Sequence, residues 1–209
     1  MADSRNRDQR DNRLEIVEAA AQAFMREGFA STSVDHIAHL LGSTKGRVYY
    51  YFKNKTELFF AVHEETINTN LAHMLPLVEA QDGPVEKMEK MVGRHIDAIL
   101  QRLPFQRVSL MGLEMQIIGR TTPEEREILD GLIQRYREYE GLFLGVVEQG
   151  MQDGLFEKGD ASIIVKSILG AMNWMIMWYR PRGEGDDKHG QRIRKSMTEY
   201  VMNGLVKKG

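Results

Sequence analysis

The sequence predicts an all-α protein of about nine helices. Apolar residues recur at three- and four-residue intervals along almost the whole chain, which is the spacing of amphipathic helices. No segment shows a sustained alternation of apolar and polar residues bounded by hairpin turns, as a half-buried strand would. Glycines and prolines interrupt the helical pattern, and they divide the chain into three short helices followed by longer ones.

Composition limits the class of protein. The 209 residues are 42% hydrophobic, which suits a globular core, and 28 basic residues against 30 acidic ones give a formal net charge of −2. Any surface for nucleic acid must therefore be a local basic patch. The absence of cysteine excludes disulfides and thiolate sites and favours a reducing compartment. We expect a cytoplasmic protein without membrane insertion, because there is no signal-like segment and no apolar run of roughly 20 residues.

The first two helices end at glycines. Helix 1 carries an apolar stripe and ends at Gly28, which can adopt the left-handed conformation of a helix C-cap. The stripe consists of Leu14, Val17, Ala21 and Phe24. Thr32 or Ser33 can cap a short second helix with its side-chain oxygen, and this helix ends at Gly42.

A third short helix and a long fourth helix follow. Ser43 or Thr44 can cap the third helix, in which Val48 and Phe52 share one face. Asn54 can cap the fourth helix in the same way. The pattern therefore places three short helices before one long one.

The remaining helices begin or end at prolines. The sequence DGP at 82–84 ends the fourth helix and starts a fifth, because proline is tolerated at the first helical position. Leu103-Pro104 ends the fifth helix. The sequence TPEE at 122–125 has the pattern of a capping box, and it opens a helix that runs to about Gly154.

The helix predicted over 160–180 is apolar on nearly every face. Asp160 can cap it and Pro181 ends it. Such a helix must be buried on all sides, and one neighbouring layer cannot cover it together with the helix at 124–152. We therefore predict that two copies of the chain associate through these helices, and that a last amphipathic helix follows.

The window from Ser33 to Lys55 predicts DNA binding. A short helix, a glycine turn and a second short helix are how helix-turn-helix proteins present a recognition helix to the major groove. Residues 36–56 include no acidic residue and four basic ones, namely Lys45, Arg47, Lys53 and Lys55. We assign the helix-turn-helix to 33–52, within a DNA-binding domain at 10–56. The helical ligand-binding and dimerisation domain is then 57–209.

The stretch IAHLLGSTKGRVYYYFKNKTEL, residues 37–58, resembles the signature of the TetR family of bacterial regulators. The turn glycine, the Thr-Lys-Gly sequence, the aromatic run and the lysine before Thr-Glu-Leu all match the family pattern. The resemblance covers about residues 10–70 and implies a homodimeric regulator with a ligand pocket in its variable C-terminal part. Ser43, Arg47 and Tyr50 depart from the pattern, the last two at positions that read bases or phosphates.

The residue types in this window indicate their roles. Gly46 lets the recognition helix approach the groove, and Lys45 and Arg47 supply donors at its N-terminal end. We predict Arg47 as the base reader, because its planar fork can pair with guanine O6 and N7. The predicted phosphate contacts are Thr32, Ser33, Thr44, Tyr49, Tyr50, Lys53 and Lys55. The alternatives stay open that the three serine and threonine hydroxyls only cap helices and that Lys53 is a solvated charge.

The N-terminal segment before this domain is charged. Arg5, Arg7, Arg10 and Arg13 alternate with aspartates that nearly cancel their charge. We predict a flexible arm at residues 1–9, since chain ends are usually untethered. The alternative is that the arginines reach into a minor groove beside the recognition helix.

A set of methionines and tryptophans in the C-terminal half predicts an effector pocket. Soft side chains of this kind line promiscuous pockets, although plain core is the alternative for any single one. The predicted lining is Met111, Met115, Phe143, Asn173, Trp174 and Trp178. The stretch GAMNWMIMWYRPRGE, residues 170–184, also resembles a branch with acyl-CoA-responsive repressors of fatty-acid and steroid breakdown. That resemblance implies an effector such as acyl-CoA or another apolar compound.

Enzyme, metal and cofactor functions find no support in the motifs. The chain has no G-x-S-x-G, no P-loop and no G-x-G-x-x-G, and no predicted strand on which those turns are built. The six histidines are scattered, without the spacing of a metal site. Two functions remain: a repressor released from a palindromic operator by an effector, and a ligand-independent architectural DNA-binding protein.

Overall fold

The computed structural model describes residues 2–118, 122–181 and 187–207, without the side chains of residues 2–8, 111–118 and 187. In chain order the helices are α1 Ala2–Ser31, α2 Val34–Leu40, α3 Lys45–Tyr51, α4 Lys55–Glu79, α5 Pro84–Gln101, α6 Leu103–Ile118, α7 Pro123–Gln152, α8 Ala161–Asn173, α9 Met175–Trp178 and α10 Asp187–Leu205. The all-α prediction is confirmed. Within the described ranges, one isolated β-bridge joins Phe156 to Val206.

Local caps set the ends of several helices where the sequence predicts them, although Thr44 precedes α3 without the predicted side-chain cap hydrogen bond. Gly28 and Gly42 have positive φ angles, 79° and 58°, which a residue with a side chain rarely adopts. The Ser33 side chain accepts a hydrogen bond from the His36 amide at 3.1 Å and so caps α2. Asn54 accepts from the Glu57 amide at 2.8 Å and caps α4.

The long helices also begin at their predicted caps. Pro84 is the first residue of α5. At the start of α7 the predicted capping box is formed in both directions: the Thr122 amide donates to the Glu125 carboxylate at 3.0 Å, and the Glu125 amide donates to the Thr122 hydroxyl at 3.2 Å. Asp160 accepts from the Ile163 amide at 3.1 Å and caps α8.

The N-terminal segment has a helical backbone. It is helical from Ala2 onward as part of α1, and the flexible arm expected at residues 1–9 stays a prediction. The physical reason for the helical backbone lies in the sequence, because residues 2–9 contain neither glycine nor proline to interrupt a helix that α1 already nucleates. At its other end α1 changes direction at Gly28 and continues to Ser31.

The chain divides into two compact units, each with its own core. The first comprises Met1–Thr66 and Pro104–Leu132, and the second comprises Ile67–Leu103 and Ile133–Gly209. In the first unit Phe24, Phe29 and Phe59 form a cluster with ring centroids 4.9 to 5.6 Å apart. The second has buried apolar residues that include Met88, Met91, Ile96, Val147 and Phe156. The functional division at 10–56 and 57–209 remains a prediction.

The apolar helix predicted over 160–180 is divided at Trp174 into α8 and α9. The prediction that it is buried on all sides is wrong for the single chain. On α8, the side that carries Val165, Ile168 and Met172 is buried in the core of the second unit. In contrast, Ile163 is 62% exposed and Trp174 is 64% exposed. An apolar helix that one chain leaves uncovered has a free face for another surface.

The same segment has a composition that could cross a membrane. Its 18-residue window Ala161–Trp178 has a mean hydropathy of 1.3, and 28% of the window is buried. The 13 residues of α8 span only about 20 Å, short of the roughly 30 Å of a bilayer core. Lys166 also lies within the window and pairs with Glu140 at 2.7 Å. We therefore interpret the segment as part of a folded helical domain.

Candidate DNA-binding surface and effector region

The third helix has a buried anchoring face and an exposed face. Val48 and Phe52 are four residues apart and buried, so one side of α3 is fixed to the first unit. The opposite side presents Lys45, Gly46 and Tyr49 to solvent. The helix is therefore held by two apolar residues while its polar side remains available.

Further predicted contact residues lie around this exposed face. Tyr50 is 71% exposed, and its ring packs edge-on against Tyr51 with centroids 4.9 Å apart. Thr44 precedes α3, is exposed, and makes no side-chain cap hydrogen bond. The Lys53 side chain is exposed, while its backbone amide donates to the Glu57 carboxylate at 2.6 Å. These hydroxyl and ammonium groups suit phosphate oxygens.

The predicted base reader is turned toward the first helix. Nη2 of Arg47 donates to the Asn12 side-chain oxygen at 2.6 Å and to the carboxylate of Glu15. Only 28% of the Arg47 side chain is exposed, against 54% for Glu15. Arg47 thus joins α3 to α1 across 35 and 32 residues of sequence.

The neighbouring Lys45 is also paired with an acidic residue. Its ammonium lies 2.8 Å from a carboxylate oxygen of Asp35 in α2. The hydrogen bond to Asp35 and the negative charge of that residue raise the pKa of Lys45. Both charged residues at the start of α3 therefore have a carboxylate partner on another helix.

Lys55 uses its ammonium group within the protein. Nζ donates to the carbonyl oxygens of Phe29, Ala30 and Thr32 at 2.7, 3.2 and 2.8 Å, and it lies 4.5 Å from the centre of the Phe29 ring. An ammonium has three donors, and the end of α1 leaves carbonyls without helical partners. This geometry favours a structural role for Lys55 at the junction of α1 and α4.

The three predicted hydroxyl contacts occupy different environments. Thr32 is buried, and its hydroxyl donates to the Gly28 carbonyl at 2.8 Å. Ser33 caps α2 and is exposed, so its oxygen can serve two partners. Thr44 is exposed before α3. Capping is thus the observed role of Ser33, while the Thr32 hydroxyl belongs to the end of α1.

In the second unit, part of the predicted effector lining belongs to a buried polar cluster. Asn173 accepts a hydrogen bond from His95 Nε2 at 3.1 Å, and the Tyr139 hydroxyl donates to His95 Nδ1 at 2.9 Å. These directions follow because a neutral imidazole has one donor and one acceptor, and an amide oxygen can only accept. The fully buried Phe143 packs edge-on against His95. The cluster joins α5, α7 and α8.

Burial keeps this cluster uncharged. It lowers the pKa of His95 to about 4 and raises the pKa of the Tyr139 hydroxyl. His95 was not among the site residues predicted from the sequence. Its signal was a single polar residue on the apolar face of α5, next to Met91, Val92 and Ile96.

The other predicted lining residues lie elsewhere or outside the described side chains. Trp174 and Trp178 are exposed rather than buried beside Phe143. The side chains of Met111 and Met115 lie outside the described residues. Thus only Phe143 and Asn173 are brought together, through His95.

A groove lies on the surface of the second unit. It has a volume of about 480 Å³ and is lined mainly by α8 and α10, with Ile164, Ile168, Tyr200 and Val201 among its walls. Tyr200 is exposed on α10, near the same outer side. The apolar excess of α8 was predicted from the sequence, whereas the groove arises from the packing of α8 beside α10.

Two family models match the chain. One, described as bacterial regulatory proteins of the tetR family, matches residues 16–62. The other, described as a tetracyclin repressor-like C-terminal domain, matches residues 81–205. The first match includes α2 and α3, and the second extends from before α5 into α10.

Individual proteins are similar over nearly the whole chain. The HTH-type transcriptional repressor KstR2 of Mycolicibacterium smegmatis is 21% identical over 201 residues, which cover 93% of this chain and 90% of the repressor. The solved structure of the ketosteroid transcriptional regulator KstR2 of Mycobacterium tuberculosis has a TM-score of 0.81 at 21% identity, covering 94% and 95% of the two chains. AibR, solved with isovaleryl coenzyme A and operator DNA, has a TM-score of 0.74 at 23% identity, covering 91% and 98%. These structures share the fold of this chain.

Proposed function

The chain belongs to the TetR family of bacterial regulatory proteins, and on that premise we propose that it binds a palindromic operator as a homodimer and is released by a small effector. It is a DNA-binding transcription regulator and not an enzyme. The observation that carries the proposal is the exposed polar side of α3, anchored by Val48 and Phe52. We place its action in the cytoplasm, where its DNA partner is found.

We assign the reading role to α3 and the positioning role to its surroundings. Lys45 and Arg47 read base edges, and Gly46 permits close approach of the helix backbone. The phosphate contacts are Ser33, Thr44, Tyr49, Tyr50 and Lys53, all of which have exposed side chains. Thr32 and Lys55 hold the end of α1 through hydrogen bonds to its carbonyl groups.

A second copy of the chain is the proposed cover for the outer face of α8, α9 and α10. This face exposes Ile163, Trp174, Trp178 and Tyr200 and includes the groove of about 480 Å³. Large adjoining apolar side chains on a surface favour association over exposure to water. A two-fold dimer presents two α3 helices and therefore selects an inverted repeat.

The proposed effector is apolar or bears an acyl chain, and it binds in the second unit. The cluster around His95 offers neutral hydrogen-bonding groups in an apolar setting, where a charge would be costly to bury. AibR was solved with isovaleryl coenzyme A and operator DNA, and KstR2 is a ketosteroid regulator. Those proteins support an effector with an apolar body.

We propose that α4 carries the effector signal, because the division between the two units falls within this helix, between Thr66 and Ile67. The effector must bind more tightly to the state with wrongly spaced recognition helices than to the DNA-bound state. Shifting the populations of the released and DNA-bound conformations from 1:99 to 99:1 needs roughly 5.5 kcal/mol of differential affinity. Weak effectors will therefore release the operator only in part.

Selection from a random DNA library tests the function against its alternative. A repressor dimer should enrich an inverted repeat with half-site centres about 10 base pairs apart, or a multiple of that spacing. A ligand-independent architectural protein should show little sequence preference, although it would still bind DNA. A flat selection would therefore remove the operator-binding repressor and favour the alternative.

Tryptophan fluorescence tests the effector. The only two tryptophans are Trp174 and Trp178, and both are in the proposed effector unit. Titration with acyl-CoA thioesters, fatty acids and aromatic compounds should change their emission, and the same compounds should release the selected operator. Free coenzyme A, which has no acyl chain, is the control. If none of the compounds releases the operator, the acyl effector is ruled out while DNA binding stands.

A further inference from the structure

Two exposed carboxylates form ion pairs with the cationic side chains of α3. Glu15 of α1 pairs with Arg47, and Asp35 of α2 pairs with Lys45. Both carboxylates are more than half exposed, at 54% and 65%. The two cations best placed to read DNA therefore already have anionic partners.

We propose that Glu15 and Asp35 are specificity-determining residues, which hold Arg47 and Lys45 away from phosphates and so suppress binding to DNA of the wrong sequence. This inference rests on the proposed reading role of α3. Sequence-independent affinity comes from cations that replace the counterions of phosphates. A cation that is already paired must first break its pair, and the released carboxylate then repels the phosphate.

The operator can overcome the same pairing because it offers a better partner. A guanine accepts two hydrogen bonds from one guanidinium at O6 and N7, which favours the correct base by about 5- to 150-fold. Breaking an exposed ion pair opposes binding by no more than about fivefold. Breaking the ion pair costs the same on either duplex, but the released carboxylate lies beside the cation, where it repels a negatively charged phosphate and not the uncharged edge of guanine. Each carboxylate therefore widens the gap between the correct base and a bare phosphate.

The geometry at Arg47 makes this exchange selective. The same Nη2 atom contacts both Asn12 and Glu15, so α1 holds the guanidinium through a neutral and a charged acceptor. Replacing Glu15 with glutamine keeps the shape and a hydrogen-bond acceptor but removes the charge. This change tests the charge while retaining the hydrogen bond from Arg47 to Asn12.

The test compares Glu15→Gln and Asp35→Asn with the unchanged protein on two duplexes, the selected operator and a scrambled duplex of equal length. Dissociation constants are measured by fluorescence anisotropy between about 50 and 300 mM salt. We expect each variant to bind the scrambled duplex about 3- to 10-fold more tightly at low salt, with a smaller gain on the operator. Each should also steepen the plot of log K against log salt by about 1 for every cation that becomes free to bind a phosphate.

Glu140→Gln is the matched control for net charge. Glu140 pairs with Lys166 at 2.7 Å in the second unit, so its loss changes the formal charge equally without freeing a cation of α3. The control should leave affinity for the scrambled duplex within about twofold. An equal gain in the control would show a general charge effect and would overturn the proposal.

The double variant Glu15→Gln with Arg47→Ala isolates the pair. The gain on scrambled DNA that Glu15→Gln produces should disappear once Arg47 is absent, because the proposal routes the gain through that guanidinium. If Glu15→Gln instead weakens the operator and leaves scrambled DNA unchanged, Glu15 only orients Arg47 and the proposal fails. The scrambled-duplex measurements need no operator, so they judge this inference even if library selection finds no palindrome.

Discussion

Polar side chains are held in opposite ways at two places in the molecule, one in each unit. Around α3 in the first unit, Arg47 and Lys45 form exposed ion pairs with carboxylates from other helices. In the second unit, His95 and Tyr139 form a buried cluster with Asn173, and burial keeps it neutral. Exposed pairs are weak and screened by salt, whereas buried hydrogen bonds are costly to break.

This difference suits different tasks. A surface that must exchange its partners for DNA needs contacts that can be broken at little cost. A core that links α5, α7 and α8 needs contacts that fix one arrangement, since an unpaired polar group there costs free energy. The surface around α3 is therefore sensitive to salt and charge, and the cluster around His95 to side-chain shape and protonation.

Acidification should have the largest effect, and it should act through buried histidines. Burial lowers the pKa of His95 in the second unit to about 4 and that of His63 in the first unit to about 3, below the usual value near 6.5. Between pH 6.5 and 4 the unfolded chain binds protons that the folded chain does not, so stability is complete above pH 6.5 and is lost as the pH falls. His95 alone contributes at most about 3 kcal/mol to this loss.

Urea unfolding at a series of pH values and fixed protein concentration measures this effect. The His95→Gln variant lacks one titrating group, so its unfolding free energy should fall less steeply between pH 6.5 and 4 than that of the unchanged protein. Parallel profiles for the two proteins would mean that His95 is protonated equally in both states, contrary to its buried position.

Removing the centre of the buried cluster should have the next largest effect. His95→Ala leaves the Tyr139 hydroxyl and the Asn173 amide without their shared partner and opens a cavity beside Phe143. We expect a loss of about 2–4 kcal/mol in unfolding free energy at neutral pH. The control is His36→Ala, which removes an exposed histidine paired with Glu27 and should cost no more than about 1 kcal/mol. Similar losses for both would remove the contrast between the two units.

Lys53 and Lys55 form a matched pair for separating DNA contact from structure. Lys55→Met removes three hydrogen bonds to carbonyl oxygens at the end of α1, and should lower the unfolding free energy by about 1–3 kcal/mol. It should leave the salt dependence of DNA binding unchanged. Lys53→Met should instead keep stability and make the plot of log K against log salt shallower by about 1 for each phosphate that is no longer neutralised. The reverse pattern would return Lys55 to the phosphate contacts predicted from sequence.

Much of the fold could be predicted from the sequence because its helix ends are local. The cap at Asp160 and the capping box at 122–125 each involve residues three positions apart, so the sequence alone contains both partners. The family pattern at 37–58 likewise lies in one continuous stretch. The break at Trp174 had no such signal, because no glycine or proline marks it.

The site was less predictable because its contacts join distant residues. Arg47 and Glu15 are 32 residues apart, and His95 and Asn173 are 78 apart, so their meeting depends on how helices pack. The residue type of Arg47 was enough to predict a base-reading role, but it could not predict the ion pair with Glu15. The environment of the two tryptophans was also not predictable from residue type. Their apolar character favoured a pocket lining, but both are exposed on the outer face of α8 and α9.

Gly46→Ala should have the smallest effect on stability, although it tests the reading helix directly. A methyl group at Gly46 would meet only the Thr44 hydroxyl oxygen, at 3.8 Å, so nothing within the described part of the chain requires glycine there. Alanine also favours a helix by up to about 1 kcal/mol, and unfolding free energy should stay constant or rise slightly. Operator affinity should nevertheless fall about tenfold or more, because the added methyl group keeps the backbone of α3 away from the groove.

Gly150→Ala is the opposite case and serves as the control for Gly46→Ala. A methyl group at Gly150 would overlap the buried ring of Phe156, so this change should lower the unfolding free energy by about 1–3 kcal/mol. The folded variant should keep its operator affinity, because Gly150 belongs to the second unit and α3 to the first. Thermal unfolding should therefore show Gly150→Ala as the less stable variant, and operator titration should show Gly46→Ala as the weaker binder. If Gly46→Ala binds the operator normally, the backbone of α3 does not approach DNA closely, and reading must depend on its long side chains alone.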